Sequence, residues 1–214
     1  MNGFMTILYT LGLFFAFAAG SMLLQRQAAF LQSTTAKPTF PRATVLLLLA
    51  IAIPSILQFF FPTILLTFQR DYERFRMGDW WRLISPLFVQ DGGVIGTIFN
   101  LVSLALVGSL AERIWNGRSM LIIFFVGGVI GEIAGFAWQP VGAGNSVGNF
   151  SLAASIAVVS LMRLPFTPVI LFAVIALGAD GVLLWLQDIH GAAALVGTIQ
   201  ALFLIRVWHD KGLG

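Results

Sequence analysis

Long stretches of this chain offer no polar position on any helical face. Runs such as LLLLAIAI at residues 46–53 and LIIFFVGGVI at residues 121–130 are apolar all round. Strands of a membrane barrel alternate apolar and polar side chains, whereas a helix satisfies its own backbone within one segment and tolerates such a run in lipid. A crossing needs about 20 residues at 1.5 Å each. Seven stretches approach or exceed that length, running roughly from Phe4 to Leu24, Ala43 to Phe68, Val94 to Leu110, Ser119 to Trp138, Ser146 to Met162, Pro165 to Leu186 and Ile189 to Trp208. The pattern predicts an all-α polytopic membrane protein with seven spans. Met1 to Met5 carries no Lys or Arg and the first apolar run exceeds a signal-peptide core, so it reads as a retained helix.

Two polar segments organise the spans. QRQAAFLQSTTAKPTFPR, residues 25–42, has the composition of a linker. It divides an N-terminal helix and linker (1–42) from a six-span unit (43–214). The connection from Gln69 to Gly93 mixes charges with Trp80, Trp81 and Phe88, which suits the membrane interface. Positive residues in short loops stay on the cytoplasmic side. With the Arg26–Arg42 linker inside, eight Lys and Arg fall inside and Arg70, Arg74, Arg76 and Arg82 outside, which predicts the N-terminus outside and the C-terminus inside.

Composition agrees with a lipid environment. The 214 residues are 58% hydrophobic and 10% charged, with a mean hydropathy of +0.93; soluble chains carry about 25% charged residues. The absence of cysteine excludes disulfides, and two histidines are too few for an ordinary zinc site. The net charge of +3 gathers on no face, so no nucleic-acid partner is expected.

A polar side chain inside such a bundle costs several kcal/mol unless paired or wet, so these residues are where chemistry is sought. The candidates are Asn100, Glu132, Asn145, Ser146, Asn149, Ser151, Asp180, Asp188, His190 and Gln200. Ser146 opens the fifth span and His190 the seventh, so both lie at one membrane face. The third span starts from that face, placing Asn100 about 10 Å below its start. A hydroxyl, an imidazole and a carboxamide can converge there. That set suits acyl transfer: imidazole takes the serine proton, while Asn100 and the free N–H groups opening the Ser146 helix hold the oxyanion. Each residue has a plainer reading. Ser146 alone is a helix N-cap, His190 a polar residue satisfied by Asp188, Phe150 packing, and Asn100 a carboxamide joining two helices.

The run Gly144-Asn145-Ser146-Val147-Gly148-Asn149-Phe150-Ser151-Leu152 resembles the G-x-S motif of the rhomboid intramembrane serine proteases. HGAAALVG, from His190 to Gly197, is similar to their H-x-x-x-x-x-x-G run. GDWWRLISPLFVQDGGVIGTIFN resembles their lead into an asparagine-bearing helix, which falls on Asn100, and AERIWNGR follows as in the family. The resemblance covers Trp80 to about Ala201. It implies a six-helix core with one extra N-terminal span. It also implies Ser146 as nucleophile, His190 as general base, Asn100 as oxyanion donor, Gly144 as support and Phe150 packed on the imidazole, with no metal or cofactor. The implied substrates are transmembrane segments of other proteins, reached from the bilayer with the sixth span as gate and Pro165 and Pro168 at its inner end. A bacterial inner membrane, with the site near the outer face, is the expected location.

This sequence departs from the family pattern at three places. Gly96 stands where rhomboids usually carry a histidine four residues before the asparagine, Val147 replaces a small residue, and Gln90 replaces an upstream histidine. Loss of one oxyanion donor typically costs about 2.7 to 4 kcal/mol. A rhomboid-like protein that binds transmembrane helices without cutting them is therefore one alternative, and a small carrier built on Glu132 and Asp180 is another. Glu132, amid the glycines of GGVIGEIAG, reads first as an interhelical hydrogen bond, and Gly191, Ala194 and Gly197 as a packing stripe on the last helix.

Overall fold

The computed structural model describes residues 3–30, 40–163 and 168–210. Its long helices are α1 (Gly3–Phe30), α2 (Arg42–Phe60), α5 (Gly93–Trp115), α6 (Gly117–Trp138), α7 (Ser146–Arg163), α8 (Pro168–Trp185) and α9 (Ile189–Asp210). Between α2 and α5 lie α3 (Thr63–Phe68), β1 (Arg70–Asp71), α4 (Tyr72–Arg76) and two 3-10 turns at Trp80–Leu83 and Ser85–Phe88; β2 (Val141–Gly142) precedes α7. Six helices are long and apolar enough to cross a membrane, and α8 shows a shorter apolar stretch, Ile170–Trp185, among the described residues. Pro165, assigned above to the sixth span, lies outside the described residues.

The second span ends earlier than its apolar run predicts. Phe61 takes φ −127° and ψ 81° and α3 starts anew after Pro62, because the residue before a proline is pushed out of the α region and the proline offers no N–H. Pro54 inside α2 does not end that helix.

The centre of the bundle is α7. Fourteen of its eighteen residues are buried, from Val147 to Ser160, and it packs on α9, α1, α6, α5 and α8. Glycines set the spacing: a side chain at Gly127 or Gly131 of α6 would collide with Ser151 or Val147 of α7, and one at Gly148 with the ring of Phe124. The proposed stripe on α9 divides between two neighbours. Gly197 lies against the Ser151 backbone of α7, whereas Gly191 lies against Leu183 and Leu184 of α8. Six residues advance a helix by about 600°, so the two glycines point to different sides.

Helix α1 joins the bundle directly. It runs along α8 and α7 and touches α5, burying Leu8, Leu13, Ala16, Ala19 and Leu23. Outward faces are apolar as lipid requires; on α5 they include Ile95, Ile98, Val102 and Leu106.

The connection from α2 to α5 is fixed by charge-assisted bonds. Arg82 donates to the carbonyls of Leu66 at 3.1 Å and Gln69 at 2.7 Å, and to Asp79 at 3.0 Å. It thereby satisfies acceptors at the end of α3 that no helix bond reaches. Trp80 next to it is exposed, as an interfacial anchor would be.

Candidate active site

The segment leading into α7 is held before the helix begins. β1 and β2 pair antiparallel with Arg70 opposite Gly142, the Gly144 N–H bonds the Pro86 carbonyl at 3.0 Å, and the Asp91 carboxylate accepts from the Ala143 N–H at 3.0 Å. Ser146 follows two residues after Gly144, with its hydroxyl aimed into a cavity of about 730 Å³. Thr6, Tyr9 and Thr10 of α1 line that cavity with Gly96, Asn100, Ser146 and His190.

Ser146 Oγ lies 2.9 Å from His190 Nε2. Phe150, one turn along α7, places its ring centroid 4.9 Å from the imidazole, and Tyr9 of α1 places its own at 4.5 Å. The two aromatics also meet each other at 5.7 Å, so the imidazole closes a cluster of three rings drawn from α7, α1 and α9.

The other ring nitrogen, His190 Nδ1, is 2.6 Å from Asp188 Oδ1, which also accepts the His190 backbone N–H at 2.9 Å. The second Asp188 oxygen accepts from the Tyr9 hydroxyl at 2.7 Å and from Gln139 at 3.1 Å. Burial alone raises the pKa of the Asp188 carboxyl, but hydrogen bonds from His190 and Tyr9 and the charge of the imidazole outweigh it, holding the group well below the usual carboxylate range.

Asn100 sits on the opposite wall, its Nδ2 donating to Gln90 Oε1 at 2.8 Å. A Cβ at Gly144 would lie 3.2 Å from Ser146 Oγ and 3.3 Å from Asn100 Nδ2, so Gly144 keeps the space between hydroxyl and amide open. Asn145 and Asn149 donate to the Asn100 carbonyl at 3.2 and 3.0 Å, pinning α7 to α5. Gln90 then links the network: it donates to Asn145 at 2.8 Å and exchanges two bonds with Gln58 of α2. At the start of α7 the first helical bond runs from the Asn149 N–H to the Asn145 carbonyl, leaving the N–H groups ahead of it outside the helical ladder and beside the serine.

Gly96 lines the cavity one turn before Asn100, and a Cβ there meets nothing within 4 Å. Glu132 is fully buried and pairs with Arg70 at 2.5 Å. Asp180 is 5% exposed between α8 and α1.

The sequence brought Ser146, His190, Asn100, Gly144 and Phe150 to one face, and in the structure all five meet at the cavity or its rim. Sequence reasoning missed Tyr9, Gln90 and the reach of Asp188. A carboxylate two residues before a histidine at a helix start signals Asp188; no linear signal marks Tyr9, which bonds 179 residues away.

A half-buried serine and a buried imidazole meet where α7 and α9 converge in a helical membrane bundle, and comparison with known proteins places that architecture. The rhomboid-domain family model matches residues 77–211, and the chain belongs to the rhomboid family. It is 35% identical over 63 residues to "Rhomboid protease GluP" of Bacillus subtilis (strain 168), covering 29% of this chain and 12% of that protein. It is 32% identical over 63 residues to "Putative rhomboid protease YdcA" of the same organism, covering 29% of this chain and 31% of that protein. The chain thus matches less than a third of either relative's length. No solved structure gives a significant match.

Proposed function

We propose that this protein is an intramembrane serine protease that cleaves transmembrane segments of other membrane proteins. The observation that carries the reading is the 2.9 Å approach of Ser146 Oγ to His190 Nε2 inside a cavity within the bundle. Nε2 takes the hydroxyl proton as Oγ attacks the scissile carbonyl carbon, and the carbonyl oxygen becomes the oxyanion. The N–H groups opening α7 and the Asn100 amide are the donors available to it. The imidazolium returns the proton to the leaving amine, giving an acyl-enzyme on Ser146. Water, deprotonated by the same imidazole, then releases the new carboxylate. No metal or cofactor enters the scheme. Phe150, packed on the imidazole, restrains the ring for both transfers.

Residues 43–214 form the catalytic core in this reading and residues 1–42 an added helix and linker, with α1 as one wall of the cavity. A bacterial plasma membrane fits the Bacillus relatives, and a site near the outer face fits the distribution of Lys and Arg. The sixth span, α8, is packed against α1. An apolar groove of about 500 Å³ between α1 and α5 shares Thr10, Ile95 and Phe99 with the catalytic cavity, and it offers a substrate helix a sideways path.

The test uses detergent-purified protein, a serine-directed fluorophosphonate probe and a model transmembrane substrate. Labelling and cleavage are expected in the natural protein and neither in Ser146→Ala. Labelling that persists in Ser146→Ala sinks the assignment of the nucleophile.

The non-cleaving alternative draws on Gly96, and the open space there makes it testable. Gly96→His is expected to preserve or raise turnover, by up to about 10²-fold if the ring supplies a full donor. Complete loss of turnover in a folded Gly96→His protein would instead show that glycine is required at that wall. The carrier reading loses support from the Arg70–Glu132 pair, which leaves Glu132 tied to a fixed cation.

A further inference from the structure

We infer that Asp188 and Tyr9 complete the active site as positioning residues, Asp188 acting on Ser146 through His190 and helix α1 supporting it. The inference rests on the protease reading above and extends it beyond the pair of serine and histidine.

Geometry carries the argument. An ionised carboxylate only accepts hydrogen bonds. With Asp188 Oδ1 2.6 Å from Nδ1 of His190, Nδ1 must carry the ring proton. In a neutral imidazole Nε2 is then bare, and it faces Ser146 Oγ at 2.9 Å. Asp188 thus selects the tautomer in which His190 accepts the serine proton, and it stabilises the imidazolium that forms. The carboxylate itself is 1% exposed and needs donors of its own. Tyr9 and Gln139 supply them to Oδ2, while the His190 backbone N–H bonds Oδ1. Tyr9 adds a second function, since its ring also packs on the imidazole and stands edge-on to Phe150 at 5.7 Å. Tyr9 lies outside the 77–211 family match, so this part of the site belongs to the added helix.

Asp188 also caps α9 through the His190 N–H, and a purely capping role is the competing explanation. Asp188→Asn separates the two, because asparagine is as good an N-cap as aspartate but does not hold the Nδ1–H tautomer as a carboxylate does. Asp188→Asn is expected to lower kcat on the model transmembrane substrate by at least about 10²-fold and by as much as about 10⁴-fold, with KM within threefold and an unchanged thermal midpoint. Tyr9→Phe keeps the ring and removes the donor; it is expected to lower kcat about tenfold, again with little change in KM. Proton NMR of the detergent-solubilised protein gives a second readout: a low-field Nδ1–H resonance in the natural protein and in Ser146→Ala, lost in Asp188→Asn and shifted in Tyr9→Phe. Near-natural kcat in Asp188→Asn, or a low-field resonance that survives it, would overturn the inference and leave Asp188 a helix cap. The resonance needs no turnover, so a natural protein that shows it without cleaving or labelling would refute the protease reading while leaving the Asp188–His190 pairing intact.

Discussion

Gly197→Val is expected to abolish turnover and labelling of Ser146 together and to lower the thermal midpoint of the detergent-solubilised protein. Any side chain at Gly197 would collide with the carbonyl oxygen, carbonyl carbon and Cα of Ser151, which are backbone atoms of α7. A side-chain clash can relax by a rotamer change; backbone against backbone relaxes only if α7 and α9 move apart. His190 stands about 10 Å from Gly197 along α9, and Ser146 about 8 Å from Ser151 along α7. Separating these helices therefore separates Nε2 from Oγ. Overpacking costs about 1 to 3 kcal/mol, and a displacement of about 1 Å at reacting groups costs about 10² in rate. Gly178→Ala on α8 is the matched control, since a Cβ there meets nothing within 4 Å, and near-natural activity is expected. If Gly197→Val labels and cleaves like the natural protein, the two helices do not meet at Ser151.

The second large effect is expected from Arg70→Leu. The Arg70 guanidinium is 2% exposed, pairs with a fully buried Glu132 and donates to the Gln139 carbonyl at 2.7 Å. Gly135 and Gly142 leave the space it fills, for a Cβ at either would lie 2.7 Å from guanidinium atoms. Removing one partner strands a carboxylate in the protein interior, which typically costs about 3 to 5 kcal/mol. Arg70→Leu should lower the thermal midpoint substantially and loosen the β1–β2 pairing that leads into Ser146. Arg70→Leu combined with Glu132→Leu should recover much of the lost stability, because no uncompensated charge remains. Two single losses that simply add in the double variant would show that the pair is not coupled.

The limits of the linear reading follow from what lipid demands of a helix. A span such as α6 is apolar on every side because most of its surroundings are apolar, whether lipid or protein, so hydrophobic periodicity does not say which face meets which neighbour. The Gly191, Ala194 and Gly197 spacing was read as one stripe, yet its ends face α8 and α7. Gln90 was read as a missing histidine, whereas its side-chain amide joins Asn100 to Asn145 and its backbone bonds Gln58 of α2. Asp188 was visible as a partner for His190, but a second partner on α1 was not.

By itself the sequence determined that this chain lives in a membrane as a helical bundle. Apolar length is a local property, and a backbone in lipid has no other way to satisfy itself along a single segment. It also determined the order and spacing of Gly144, Ser146, Phe150, His190 and Asn100, since helix rise and span count put their Cα atoms near one face. Only the tertiary structure decided how each helix is rotated and which helices touch. The fit of Gly127 and Gly131 to side chains of α7, and of Gly197 to its backbone, brought Ser146 to His190, and the packing of α1 on α7 and α8 brought Tyr9 to Asp188. Those contacts depend on shape between segments distant in sequence, a quantity that no single segment carries.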